Sequence, residues 1–369
     1  MPIYKVNEIK DIPPLHDACF SGDLSKVFNL IEKEKVDVHA LDKHGKTALH
    51  VAAQEGHFEV LKLLIKKKAT IDKPCDKGFT ALHMACFGSN FIADGDLSNP
   101  PDIKSLLKVA DKLIQSGAEV NYLAKNGRTA LHILSEKNYT KMAELLINKG
   151  ADINAPDEKK VTPLHIASQN GNNKMVELLI NRGAKIDLQD ADGQTPLHAA
   201  LFITKEAMAG QQLKKVAELL LQKGADVNKP NNNGEPPLHV LIIENKMFLG
   251  TKVLTMAHKV EIEKKIPNQL KLAKLLIEKY QANVNLTDNE GDTALHIACE
   301  MNNIALVKFL LKKGADVNLT NNEGDTALHI AQTQAGGDDT QIVKLLQENS
   351  VAENCGISNH QYDAKRFSL

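Results

Sequence analysis

Fourteen histidines and five cysteines are the side chains in this 369-residue chain best able to hold a metal or to act as base and nucleophile. Their spacing decides what they do. Nine of the histidines (His16, His50, His83, His132, His165, His198, His239, His296 and His329) close a Leu-His pair preceded by Ala or Pro. They follow one another at intervals of 34, 33, 49, 33, 33, 41, 57 and 33 residues. Such a recurrence marks a structural repeat, not a metal centre. Of the rest, His39, His44, His258 and His360 are scattered and carry no companion ligands. Cys19, Cys86 and Cys299 each fall three residues after a repeated His, where other copies have Ala or Ser, and read as small core residues. With Cys75 and Cys355 the cysteines are odd in number and form no C-x-x-C pair. That argues against a disulfide framework and a zinc ribbon and suits a reducing compartment. Asp94-Gly95-Asp96-Leu97-Ser98 opens like a calcium loop, but Asn99 stands where Gly is needed and Ser105 where the closing Glu should be. There is no Gly-Lys-Ser/Thr phosphate loop, G-x-S-x-G elbow or H-E-x-x-H helix. The expectation is a chain that is not an enzyme, with no catalytic residue, cofactor or metal.

The elements that carry these histidines follow from a second recurring string. Leu145-Leu146-Ile147-Asn148-Lys149-Gly150-Ala151-Asp152-Ile153-Asn154 returns with variations at 219–228 and 309–318. Around one Leu-His pair the sequence runs Asp190-Ala191-Asp192-Gly193-Gln194-Thr195-Pro196-Leu197-His198. Asp and Gly are turn residues, Thr195 is a helix N-cap candidate, and Pro196 suits the first helical position. Gly224 sits where a helix end favours a left-handed residue. Each unit therefore reads as turn, short helix, short helix and turn.

The 33-residue period and the Thr-Pro-Leu-His string together resemble the ankyrin repeat family, including ankyrin repeat proteins of intracellular bacteria, over about residues 8–349. The resemblance implies an all-α fold, an ankyrin-repeat solenoid of nine helix-turn-helix units with β-hairpin-like turns. The copies would span 8–41, 42–74, 75–123, 124–156, 157–189, 190–230, 231–287, 288–320 and 321–349. An N-terminal extension, 1–7, and a polar C-terminal tail, 350–369, flank them. It further implies that the repeated histidines bridge backbone groups of neighbouring turns, that His57 sits at a position where the family favours His, and that partners bind at the hairpin tips and inner helices. No unit of this kind buries its apolar face alone, so stability comes from stacking on neighbours. Both ends read as caps. The first copy lacks the Asp-x-x-Gly turn and carries polar Asp17, and the last lacks the Gly-Ala-Asp-Val-Asn exit.

Three copies are long, and each gains its residues between its two helices, at about 89–104, 204–211 and 246–269. In the first insertion Pro100-Pro101-Asp102 predicts a turn and N-cap. In the third, Leu249, Val253, Met256, Ala257 and Val260 predict an added amphipathic helix ending at Pro267. Such insertions are tolerated at small entropic cost or widen a binding surface.

Lys plus Arg (45) and Asp plus Glu (46) nearly cancel, and only Arg128, Arg182 and Arg366 are arginines. That argues against a dedicated nucleic-acid binder. The N-terminus lacks a secretory h-region, and no apolar run approaches the roughly 20 residues of a membrane span, which predicts a cytoplasmic protein. The turn tips split by charge. Copies two to five offer Lys43, Lys46, Asp76, Lys77, Lys125, Arg128, Glu158, Lys159 and Lys160, a net of +5. Copies six to nine offer Asp192, Glu235, Glu290, Asp292, Glu323 and Asp325, a net of −6. These residues and Phe79 form the expected partner-binding set, facing a protein of complementary polarity or a second copy of the chain. Phe87, Phe202, Ile203 and Ile243 are apolar candidates near inner-helix ends. A lysine-over-arginine, Asn-rich usage and the tail suit an effector exported into a host cytosol by an intracellular bacterium, with an export signal in 350–369. The alternative is an ankyrin-type regulator of a transcription factor or signalling protein. The only compact basic cluster is Lys66-Lys67-Lys68.

Overall fold

The computed structural model describes residues 12–89, 102–201, 209–243, 269–335 and 341–354. Within them the chain forms nine helical pairs and no strand; the hairpin-like turns leave only isolated bridges, Leu41 to Thr47, Thr287 to Thr293 and Thr320 to Thr326. The pairs fall into two compact units, the first reaching Lys185 and the second continuing from Ile186, with Ser168–Gly171 also assigned to the second. The first unit holds Pro14–Ser21 with Leu24–Glu32, Ala48–Glu55 with Phe58–Lys66, Ala81–Phe87 with Ile103–Gln115, Ala130–Lys137 with Thr140–Asn148, and Pro163–Gln169 (as far as Ala167) with Asn173–Asn181. The second holds Pro196–Leu201 with Ala209–Gln222, Pro237–Ile243 with 269–279, Ala294–Glu300 with Ile304–Lys312, and Ala327–Ala335 with Gln341–Asn354.

A left-handed residue ends the first helix of several pairs, as Gly22, Gly56 and Asn138 do at φ 71°, 75° and 58°. The two or three residues around that corner turn the chain into the second helix. The three insertions enter at this same corner, beyond Ser89, Leu201 and Ile243. Most of each insertion, including the helix predicted from Leu249 to Val260, lies outside the described residues, as do Phe202, Ile203, His258, Cys355 and His360. Their returning ends are described. Asp102 caps Ile103–Gln115, its carboxylate accepting from Lys104 N at 3.0 Å and Ser105 Oγ at 2.6 Å. The second insertion returns as the opening of Ala209–Gln222, so its last residues lengthen a repeat helix.

The core lies between the helices of each pair and its neighbours. Leu49, Leu61 and Leu64 in the second copy, and Leu131, Met142 and Leu146 in the fourth, are at most 1% exposed. Each such side chain contributes about 1.5–3 kcal/mol by leaving water. The seventh copy carries one residue more than its relatives, reading Lys279-Tyr280-Gln281-Ala282 where the fourth reads Lys149-Gly150-Ala151. A π-helical turn over Leu275–Lys279 absorbs it and keeps Leu276 buried. The last helix runs to Asn354, so the stretch read as tail from residue 350 begins as helix.

Candidate functional site

Copies two to nine each present a turn before their first helix, and the histidines fasten copies together at these turns. In the second copy His50 Nε2 lies 3.0 Å from Phe79 O of the third, and a carbonyl can only accept, so Nε2 carries the proton. Nδ1 is then a bare acceptor, and it receives the backbone N–H of Thr47 at 3.0 Å with Thr47 Oγ1 at 2.8 Å. The ring thus closes a capping box on its own helix and bridges to the next copy. The same bridge joins His16 to Lys46 O (2.8 Å), His83 to Arg128 O (3.3 Å) and His132 to Val161 O (3.0 Å) in the first unit. In the second unit it joins His198 to Glu235 O (3.2 Å), His239 to Asp292 O (3.0 Å) and His296 to Asp325 O (3.2 Å). Where proline takes the threonine's place, at Pro13 and Pro236, no N–H is available, and Nδ1 of His16 and of His239 is buried without a partner. Burial therefore favours neutral rings. It pushes His50 and His83 down to about 4, and also lowers His16, His132 and His239.

Inside six of the turns the leading Asp or Asn (Asp42, Asp157, Asp190, Asn231, Asp288 and Asn321) accepts two backbone N–H groups, whereas Cys75 and Ala124 open the other two. Asp42 Oδ1 takes those of His44 and Lys46 at 2.8 Å, and Asp288 Oδ1 those of Glu290 and Asp292 at 3.0 and 2.9 Å. Successive tips are then joined backbone to backbone. Asp76 N donates to His44 O and Lys125 N to Lys77 O, both at 3.1 Å, and Glu158 N to Asn126 O at 3.3 Å. In the second unit Asn232, Asn289 and Asn322 donate to Asp192, Asn233 and Glu290 at 2.9–3.1 Å. A further ladder joins the exits: Asn121 Oδ1 accepts from Asp152 N at 2.8 Å and Asn285 Oδ1 from Asp316 N at 2.9 Å. The recurrence of Asn at the end of each exit string was the available signal for this role, and only the string, not its purpose, is read from the sequence.

The predicted tip residues separate into two groups. Lys43, Lys77, Lys125, Lys159, Asp192, Glu290 and Glu323 are exposed, as are Asp76, Glu158 and Lys160. The residues just before the helix-capping threonine or proline are partly covered and engaged instead. Lys46 sits beside Asp42 with its ammonium held below its ordinary pKa by burial. Arg128 pairs with Glu136 at 3.0 Å and reaches Asp157 at 3.8 Å. Glu235 accepts from Asn231 Nδ2 at 2.6 Å, and Asp292 from Asn321 Nδ2 at 2.9 Å. Asp325 keeps a half-exposed carboxylate 3.9 Å from His329. Phe79 packs edge-on against Phe87, centroids 5.0 Å apart, which occupies both rings within the first unit. Counting only exposed tips halves the polarity, to a net +3 in the first unit and −3 in the second.

The described thiols are buried and free. Burial pushes Cys19 and Cys299 up to about 12 and Cys86 higher still, so these three supply no thiolate near neutrality. Iodoacetamide at pH 8 should leave Cys19, Cys75, Cys86 and Cys299 unmodified in the native protein and alkylate all four in urea, as read by peptide mass. Among the described residues no three His, Cys, Asp or Glu side chains gather as a metal site, and no helix is long and apolar enough to cross a membrane. Burial raises the Glu55 carboxyl to about 7, with Lys46 opposing the shift, and its Oε1 has no hydrogen-bond partner among the described residues. Glu55→Gln should stabilise the protein by about 1–2 kcal/mol at pH 8. The gain should fade as pH falls toward 4.5, where the native carboxyl is already neutral; urea titrations at both pH values check this.

Comparison with known proteins agrees with this geometry. A family model described as ankyrin repeats (three copies) matches residues 15–94, 103–190, 150–230 and 263–358. The nuclear factor NF-kappa-B p105 subunit of Gallus gallus is 36% identical over 128 residues, 34% of this chain and 11% of that protein. Protein phosphatase 1 regulatory subunit 27 of Homo sapiens is 40% identical over 65 residues, 18% of this chain and 42% of that protein. The chain thus spans less than half the length of these relatives. Among solved structures, the ankyrin repeat domain of Bcl-3 superposes with a TM-score of 0.54 at 23% identity, covering 73% of this chain and 99% of that one, a likeness of fold. The chain belongs to the ankyrin repeat family.

Proposed function

We propose that this chain is a non-catalytic scaffold that binds a protein partner through its exposed turn tips and inner helices. One observation carries the reading. The tip backbones are engaged in joining copies to one another, while the outermost side chains (Lys43, Lys77, Lys125 and Lys159 in the first unit, Asp192, Glu290 and Glu323 in the second) remain exposed. A net charge of opposite sign on the tips of the two units steers a partner that carries both signs, or a second copy bound head to tail. Nucleic acid is a poor match, because the two described arginines are held by carboxylates: Arg128 by Glu136, and Arg182 by Glu144.

A regulatory role toward a transcription factor or signalling protein is the second reading. It is favoured by the likeness to a transcription-factor subunit and to a phosphatase regulatory subunit. An effector role in a host cytosol rests on lysine-rich, arginine-poor usage and on the polar tail. A reporter fused to residues 350–369 and assayed for delivery tests it.

The test of the scaffold is comparative capture. The intact chain and a Lys43→Glu/Lys77→Glu/Lys125→Glu variant are used as baits, with a Glu290→Lys/Glu323→Lys variant as the third. Each partner retained by the intact chain should bind the variants at least tenfold more weakly, and should weaken as salt is raised. Partners indifferent to both reversals and to salt would remove the tips from the mechanism. Sedimentation of the chain alone decides whether the partner is a second copy.

A further inference from the structure

The back of the first two repeats carries a feature that the other copies lack. In each second helix a fully buried residue is followed by an outward position and then, three residues on, by a buried Leu: Val27 and Leu30, Leu61 and Leu64, Ala110 and Leu113, and so on to Val343 and Leu346. The outward position is charged in the other eight copies, from Lys62 and Asp111 to Lys308 and Lys344. In the first copy it is Phe28, 48% exposed, with Leu24 one turn earlier on the same helix 42% exposed. The two lie in a groove of about 820 Å³ on the second-helix face, whose lining also includes Leu63 and Ile65 of the second copy. Its cationic residues are Lys62, Lys66 and Lys112, and its one acid, Glu59, is already paired with Lys62 at 3.0 Å. No carboxylate among the described residues pairs with Lys66 or Lys112. The groove therefore offers an apolar wall beside two unpaired ammonium groups.

We infer that this groove docks an acidic amphipathic helix of a partner protein, its apolar face on Leu24, Phe28 and Ile65 and its carboxylates on Lys66 and Lys112. Helical segments bind between helices through apolar anchors at i, i+3 or i+4 and i+7, and charges at the groove edge fix their sign and register. A concave groove receives side chains that a lipid surface does not project. The cations here are point-like ammonium groups beside apolar carbon, without the forked guanidinium that suits phosphate backbones. The site is separate from the tips and stands or falls independently of the tip reading.

The experiment pans a displayed library of helical peptides against the intact chain and counter-selects on Phe28→Lys, which installs the residue type that the second copy has at this position. Clones lost on Phe28→Lys should carry Leu, Ile or Phe at i, i+3 or i+4 and i+7, with Glu or Asp beside them. The consensus, made as a fluorescent probe, should bind the intact chain in an anisotropy titration. It should bind at least tenfold more weakly to Phe28→Lys and to Lys66→Glu/Lys112→Glu, both melting like the parent, and a charge-reversed basic probe should bind poorly. Four results would each overturn the inference. One is retention of all clones by Phe28→Lys, and another is neutral or basic flanks in the clones that are lost. The third is a tenfold gain in probe affinity on removing residues 1–11, which would make the chain's own N-terminus the occupant. Phe28-dependent uptake by phosphatidylserine vesicles without peptide binding would assign the patch to a membrane and would also overturn it.

Discussion

Taking the protein from pH 7.5 to pH 4.5 should weaken its first unit most, through histidines that fold as neutral rings. Burial lowers His50 and His83 to about 4, and lowers His16 and His132 in the same unit. The unfolded chain takes up protons on these rings near 6.5, before the folded one does. Their contribution is therefore intact above pH 6.5 and is lost progressively as pH falls toward 4. His50 and His83 together account for about 5 kcal/mol over that range, at roughly 1.4 kcal/mol per pH unit for each. Glu55 works the other way. Its native carboxyl binds a proton near 7, well above the unfolded value, so acidification relieves its burial and returns part of the loss. The cleanest experiment uses Glu55→Gln, in which the histidine loss stands unopposed. Urea unfolding followed by circular dichroism, with hydrogen exchange to locate the loss, should show the first helices of copies one to four opening earliest. Protection there that is the same at pH 7.5 and 4.5 would mean that the rings do not act through neutrality.

Gly127→Ala should be a strongly damaging single-methyl change in the turns. Gly127 sits at φ 73°, where an L-residue is strained by about 1–2 kcal/mol, and an added Cβ would lie 2.5 Å from the backbone N of Glu158. The clash falls on the joint that carries the Glu158 N to Asn126 O hydrogen bond. Gly150→Ala is the matched control: φ is 90°, and nothing lies within 4 Å of its Cβ. The control should lose only the strain, about 1–2 kcal/mol, whereas Gly127→Ala should lose about 3 kcal/mol or more. Equal losses would show that the tips do not bear on one another.

The period, the helix pairs and the corner that admits insertions were all legible from residue spacing, because each rests on a local rule repeated nine times. The role of the repeated histidines came from the family resemblance; their geometry adds why the proline copies differ, since Pro13 and Pro236 have no N–H to offer the ring. The tip charges were half legible. Counting residues between the turn Asp and the helix treats every position alike, yet the turn alternates. Lys43, Lys77 and Lys125 point outward, whereas Lys46, Arg128, Glu235 and Asp292 lie where the backbone rejoins the hairpin, beside groups that engage them. Phe79 is occupied for the same reason, packed edge-on against Phe87. Phe28 escaped notice because an aromatic in a helix reads as core, and only the register of buried neighbours shows it facing outward.

The repeated histidines act as fasteners between copies. Nitrogen-15 NMR of the imidazoles in the intact chain at pH 7 and pH 5 tests this role most directly. His50, His83 and His132 should show a protonated Nε2 with slow exchange and a bare Nδ1, and His50 and His83 should remain neutral at pH 5. Rings that carry the proton on Nδ1, or that titrate near 6.5 like free histidine, would contradict the account.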